Sequence, residues 1–200
     1  MKKRHIVLLT VAVWILALIF AAPLVLVLIN SFKTKGEIMT SAIALPSSLY
    51  LGNFVQIITE SNFVSSFFCS LFVVIVTTSL TVLVAAITGY ALARWDSRLC
   101  RILVLVIMST LFVPFQVYMV ALIVVIRDLH LVNNLLGLIL VYLALGMPVP
   151  IFLCRSYCVG MSREIEESAI IDGASRGRML FTIVLPLMKP ILATVAVLNA

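Results

Sequence analysis

Charge is what this 200-residue chain has little of. Asp, Glu, Lys and Arg make up 11% of it, against 64% hydrophobic residues, where a soluble domain would carry about a quarter charged residues. Histidine occurs only at His5 and His130, and no His, Cys and carboxylate group has the spacing of a metal site. The four cysteines (Cys69, Cys100, Cys154, Cys158) form no secreted disulfide framework, and Cys154-x-x-x-Cys158 lacks the second ligand pair that zinc needs. All four read as small apolar packing residues. The G-x-x-x-x-G-K-S/T run that cradles nucleotide phosphates is missing; the 173–177 stretch between two glycines is too short and has no Lys. No nucleophile stands beside a base. Catalysis, a metal and a cofactor are therefore not expected of this chain.

What the chain does have is long apolar blocks, each able to cross a bilayer as a helix. The predicted fold class is an all-α polytopic transmembrane bundle. The first block follows Met1-Lys2-Lys3-Arg4-His5 and covers about 6–30. It is too long for a signal-peptide core and no A-x-A cleavage pattern follows it, so it reads as an uncleaved span bearing Pro23. Residues 31–62 are too polar to span and read as an external loop with a short amphipathic helix around 53–59. Further spans are expected at about 63–92, 102–126 (interrupted by Pro114) and 135–157 (with Gly146, Pro148 and Pro150 in its middle). A fifth begins near Lys189-Pro190 and reaches Ala200. Those last residues rise roughly 15 Å as helix, about half a hydrocarbon core, so four complete spans and the start of a fifth are expected, with the sequence shortened at its C-terminus.

Orientation follows from the basic residues. Segments assigned to the inside hold eleven Lys and Arg, from Lys2 to Lys189, against three outside, Lys33, Lys35 and Arg127. That bias puts the N-terminus and the polar stretch 158–188 in the cytoplasm. It also explains the net charge of +6 without a nucleic-acid partner.

The cytoplasmic stretch is the most informative part. Ser162 is a plausible N-cap, and Glu164, Glu166 and Glu167 fall in the first turns of the helix after it, where carboxylates suit the dipole. Ile165, Ala169 and Asp172 share a face, Gly173 suits a stop, Gly177 permits a second bend, and a second helix is expected over about 178–185, halted by Pro186. The residues Glu167-Ser168-Ala169-x-x-Asp172-Gly173-Ala174, then Ile183-x-Leu185-Pro186, resemble the cytoplasmic EAA motif of ABC-importer permeases. Ser168 replaces the motif's middle Ala, and Met161-Ser162 stands where that family often has Pro. Ser31-Phe32-Lys33, Leu45-Pro46, Asn53-Phe54 and Tyr90-Ala91-Leu92-Ala93-Arg94 are similar to carbohydrate-uptake permeases, above all the second permease of maltose-type and glycerol-phosphate-type importers.

The resemblance implies a type I permease fold over 1–200 as a single transmembrane domain, in a bacterial inner membrane. It implies a second permease subunit, a cytoplasmic ATPase dimer and an extracytoplasmic solute-binding protein as partners, the last docking on the outer loops. It further implies that 158–188 is the coupling segment, with Glu167 the polar anchor in the ATPase groove and Ser168, Ala169 and Gly173 allowing close packing. Asp172, beside Ala174, would steady the loop at the bend. The solute would be sugar-like. Two other readings fit the same residues: a permease for a different solute class, or a shortened, non-transporting form that still binds the ATPase. The middle spans carry no ionisable residue between their ends, which disfavours an ion-coupled carrier. Gln116, Tyr118, Thr77, Thr78 and Tyr142 are candidates for solute contact, although helix-to-helix hydrogen bonding accounts for each of them more simply.

Overall fold

The computed structural model describes residues 2–200, with side chains from residue 5 onward. Its regular elements, among the described residues, are all helical. They form two compact units, Met1–Phe67 and Phe68–Ala200.

In the first unit, α1 (Lys2–Ser31) runs 30 residues with Pro23 inside it. That is about 45 Å of helix, more than a hydrocarbon core. Polar contacts then tie the loop that follows into a fixed shape. Lys33 is 1% exposed, and its Nζ donates to the carbonyls of Ser41 (3.0 Å) and Ala42 (3.4 Å). Asn53 Nδ2 donates to the carbonyls of Ser31 and Lys33, and Phe32 packs on Phe54 at 5.4 Å between ring centroids. Of the first-loop residues that carry the family likeness, Ser31, Phe32, Lys33, Asn53 and Phe54 thus help to fasten it, while Leu45 is exposed. A capping box between Thr34 and Glu37 opens α2 (Lys35–Thr40), satisfying two donors that a helix start leaves unpaired. The amphipathic helix expected at 53–59 is α3 (Gly52–Glu60).

The second unit opens within α4 (Phe63–Arg94), a continuous helix of 32 residues that lies in it from Phe68 onward. With His5–Ser31, α4 is one of two helices, among the described residues, long and apolar enough to cross a membrane; three bent pairs would raise the number to five if each pair is one span. The stretch read as one span around Pro114 is α5 (Arg98–Ser109), a 3-10 turn (Thr110–Phe112) and α6 (Phe115–Asp128), and the two arms meet at 107°. Pro114 has no N–H to continue the ladder and pushes Val113 to extended backbone (ψ 114°). The helices α7 (Leu135–Gly146) and α8 (Pro148–Gly160) bend by 46°. There Pro148 sits at the first position of α8, where a missing N–H costs nothing.

The core lies where α4, α8 and the C-terminal helices meet. Gly89 of α4 is buried against α8: a Cβ there would lie 2.6 Å from Cys154 Cβ and 2.8 Å from Arg155 N. Cys154 and Cys158 are fully buried, and Cys158 Sγ lies 3.5 Å from Met188 Sδ. Cys69 is exposed and Cys100 half-buried, so two of the four cysteines serve as interior packing and Cys69 does not.

Candidate functional site

The polar stretch folds as α9 (Glu164–Ile171), then α10 (Arg176–Met179), a π turn (Leu180–Val184), α11 (Leu185–Leu187) and α12 (Lys189–Asn199). Two local expectations need correcting. Gly177 makes no bend and lies within α10, whose cap is Ser175, its hydroxyl accepting the Arg178 N–H. Nor does Pro186 halt the second helix, which runs on through it to Leu187. The π turn explains this: Leu185 N–H bonds back five residues to Leu180 O, and this widening relaxes the crowding a proline ring creates in a regular α-turn. The chain turns only beyond it, by 72°, between the helical stretch Arg176–Leu187 and Lys189–Asn199.

The start of α9 falls one residue after the expected position. Arg163 is its N-cap, while the Ser162 hydroxyl still accepts the Glu164 N–H at 3.2 Å. Its end is closed entirely by backbone. Gly173 adopts φ +81°, Gly173 N–H donates to Ile170 O, and Ala174 N–H donates to Ala169 O, both at 3.0 Å. These bonds pair two last carbonyls of the helix in a Schellman stop, which needs a residue tolerant of left-handed backbone. Asp172 contributes its backbone N–H, to Ser168 O, and its side chain is exposed.

The six expected site residues divide by face. Glu167, Ser168, Asp172 and Gly173 are exposed, Ala174 is half-buried, and Ala169 is 5% exposed within the core. Ser168, Ala169, Asp172 and Ala174, together with Ile165, Arg178, Thr182 and Ile183, line one open concavity of about 400 Å³. Glu167 lies outside it. Ile171, at the end of the helix, is 85% exposed.

Sequence reasoning missed the group on the opposite face. Glu166 points inward and is held by α4: Arg94 Nε and Nη2 each lie 2.6 Å from Oε1, and Tyr90 Oη donates to Oε2 at 2.9 Å. Arg94 Nη2 also donates to Met161 O at 3.2 Å. The two charged side chains are only 9% and 11% exposed. Removing one partner of a pair this buried costs about 3–5 kcal/mol, because the other charge stays behind. A signal was present: Tyr90 and Arg94 are four residues apart on one helix face, at the end of an apolar span, where a cation facing inward needs an anion.

The solute candidates are dispersed. Thr77 and Tyr142 line a cavity of about 500 Å³ with Thr81 and Asn199. Thr78 Oγ1 donates to Asn199 O. Tyr118 lines a different cavity, of about 470 Å³, at the Pro114 bend, and Gln116 is exposed.

Residues 83–200 match the family described as the inner membrane component of binding-protein-dependent transport systems. The chain belongs to this family. It is 32% identical to the probable starch degradation products transport system permease protein of Thermoanaerobacterium thermosulfurigenes, over all of this chain and 73% of that one. It is 35% identical to the arabinooligosaccharides transport system permease protein of Halalkalibacterium halodurans, over 96% of this chain and 70% of that one. In fold it is similar to a chain of a bacterial ABC transporter involved in the import of the acidic polysaccharide alginate, with a TM-score of 0.89 at 23% identity, covering 100% of this chain and 71% of that one. The protein is thus an ABC-importer permease of the inner membrane, a transport subunit and not an enzyme, whose family works in a membrane complex with an ATPase and a binding protein.

Proposed function

We propose that this permease forms half of the translocation pathway for a sugar-like solute, beside a second permease subunit, and couples to a cytoplasmic ATPase dimer through α9. The observation that carries the coupling role is the construction of α9: a short helix closed by a backbone stop, with Glu167, Ser168 and Ile171 left exposed. Glu167 is the polar anchor. Ser168, Ala169, Asp172 and Ala174 line the concavity that receives an ATPase side chain, and Gly173 permits the turn that brings the two surfaces close. The coupling segment is 158–188, the N-terminus is cytoplasmic by the basic-residue bias, and the spans are those read from the sequence. The sugar assignment rests on the relatives, whose names are those of starch-product and arabinooligosaccharide permeases.

Co-purification tests the coupling role. The chain would be produced in detergent with a sugar-importer ATPase, as wild type, Glu167→Lys and Gly173→Pro, the last because proline cannot adopt the φ of +81° at that position. Capture of wild type and loss of both variants is expected. Equal capture of all three properly folded chains refutes docking through α9.

A further inference from the structure

Docking on the outer face of α9 accounts for Glu167 but leaves the buried charge behind it unexplained. Arg94 and Glu166 sit almost out of solvent, and ion pairs so placed often add less stability than apolar side chains of the same volume. Their geometry is that of a clamp. Arg94 is the last residue of α4, and its planar fork holds two points of the segment that leads into α9. One is the carbonyl of Met161, directly after α8; the other is the carboxylate of Glu166, in the first turn of α9. Tyr90, one turn earlier on α4, takes the second carboxylate oxygen. A single carboxylate is therefore gripped from two successive turns of α4, which fixes the rotation of α9 as well as its distance.

We infer that Arg94 is a positioning residue that clamps α9 to the end of α4, so that a displacement imposed on α9 is delivered to that span instead of being absorbed in the 161–163 connection. The inference rests on the reading of α9 as the docking helix. Neighbouring glutamates then divide the work, with Glu167 outward to the partner and Glu166 inward to the permease. Arginine suits the task because its rigid plane brings Nε and Nη2 together onto the carboxylate while Nη2 also meets the Met161 carbonyl, whereas a lysine ammonium is a rotatable point charge that fixes no plane.

The test separates holding from folding. Spin labels at Leu83 of α4 and Ile171 of α9, both exposed, would be placed in a cysteine-free form of the full chain, and their distance distribution measured. Arg94→Gln leaves a buried carboxylate, so the neutral pair Arg94→Gln/Glu166→Gln is made beside it, with Arg94→Lys as the conservative change. A narrow distribution is expected in the parent, a broad one in both Gln forms, and an intermediate one with Lys. A neutral pair as narrow as the parent overturns the clamp. In the assembled importer, capture of the neutral pair by the ATPase should match wild type, while stimulation of hydrolysis by loaded binding protein falls roughly tenfold, a usual size for coupling between sites. Unchanged stimulation also overturns it. Failure of the docking reading is recognised separately, as wild-type chain that the ATPase does not capture, and the label distances still decide the clamp in that case.

Discussion

Alanine at Gly89 puts a methyl group into the close contact between α4 and α8. The added Cβ would lie 2.6 Å from Cys154 Cβ and 2.8 Å from Arg155 N. Carbon atoms settle at about 3.5–4.0 Å, so α4 and α8 must part locally by about 1 Å. One obstacle is main chain, which no rotamer change can move aside. Overpacking of this kind typically costs about 1–3 kcal/mol, and the backbone contact argues for the upper end. The protein carries its own reporters, because Cys154 and Cys158 are fully buried while Cys69 is exposed and Cys100 half-buried. With a thiol-reactive dye in detergent, Cys69 and Cys100 label first and the buried pair only on unfolding. Gly89→Ala should move the second phase to lower temperature. Gly177→Ala, with open space around its Cβ, should leave it in place or raise it slightly by helix propensity. A second phase identical in wild type and Gly89→Ala would refute the packing argument.

Three further outcomes are expected. Gly173→Ala meets no atom within 4 Å but must hold φ at +81°, so it should cost about 1–2 kcal/mol, and Gly173→Asn less, read as weaker amide protection at Ala174. Lys33→Met leaves the Ser41 carbonyl without its buried donor, a loss of about 1–3 kcal/mol that should speed proteolysis between α2 and α3. The half-buried Glu37 carboxyl is held below its ordinary value by hydrogen bonds, first from the Ser47 side chain and then from the Thr34 amide. A depressed carboxyl stabilises above its unfolded value and loses that contribution as pH falls through the folded one. The α2 cap should therefore hold at neutral pH and fray in acid, seen as lost protection at Ile38 and Ser41 after correction for intrinsic exchange; Glu37→Gln should abolish this pH dependence.

The legible parts of the chain were those where local chemistry decides. Apolar blocks without charge had no alternative to membrane helices, and Gly173 after a helical run had few alternatives to a stop. The order of elements from 164 to 187 was readable because the residues there have the spacing of a helix, a Schellman turn and a second helix. What escaped depended on pairing distant residues. Glu166 lies 72 residues from Arg94 along the chain, so three glutamates at a helix start looked interchangeable until one turned inward. The path through Pro186 was hidden for another reason. A proline after a helical run ordinarily stops it, and only a π turn, which leaves no mark in composition, carries the helix onward. The 107° turn at Pro114 likewise exceeds the kink that one proline in a span suggests.

The central claim is that the outer face of α9 meets the ATPase. Photo-crosslinking tests it most directly, with a crosslinking amino acid at Ser168 or Ile171 on α9 and, as control, at the exposed Met39 of α2 in the other unit. Illumination of inner-membrane vesicles carrying the whole importer should link positions 168 and 171 to the ATPase and leave position 39 unlinked to it. Crosslinks to the ATPase from position 39, or none from either α9 position in a complex that hydrolyses ATP, would contradict the account.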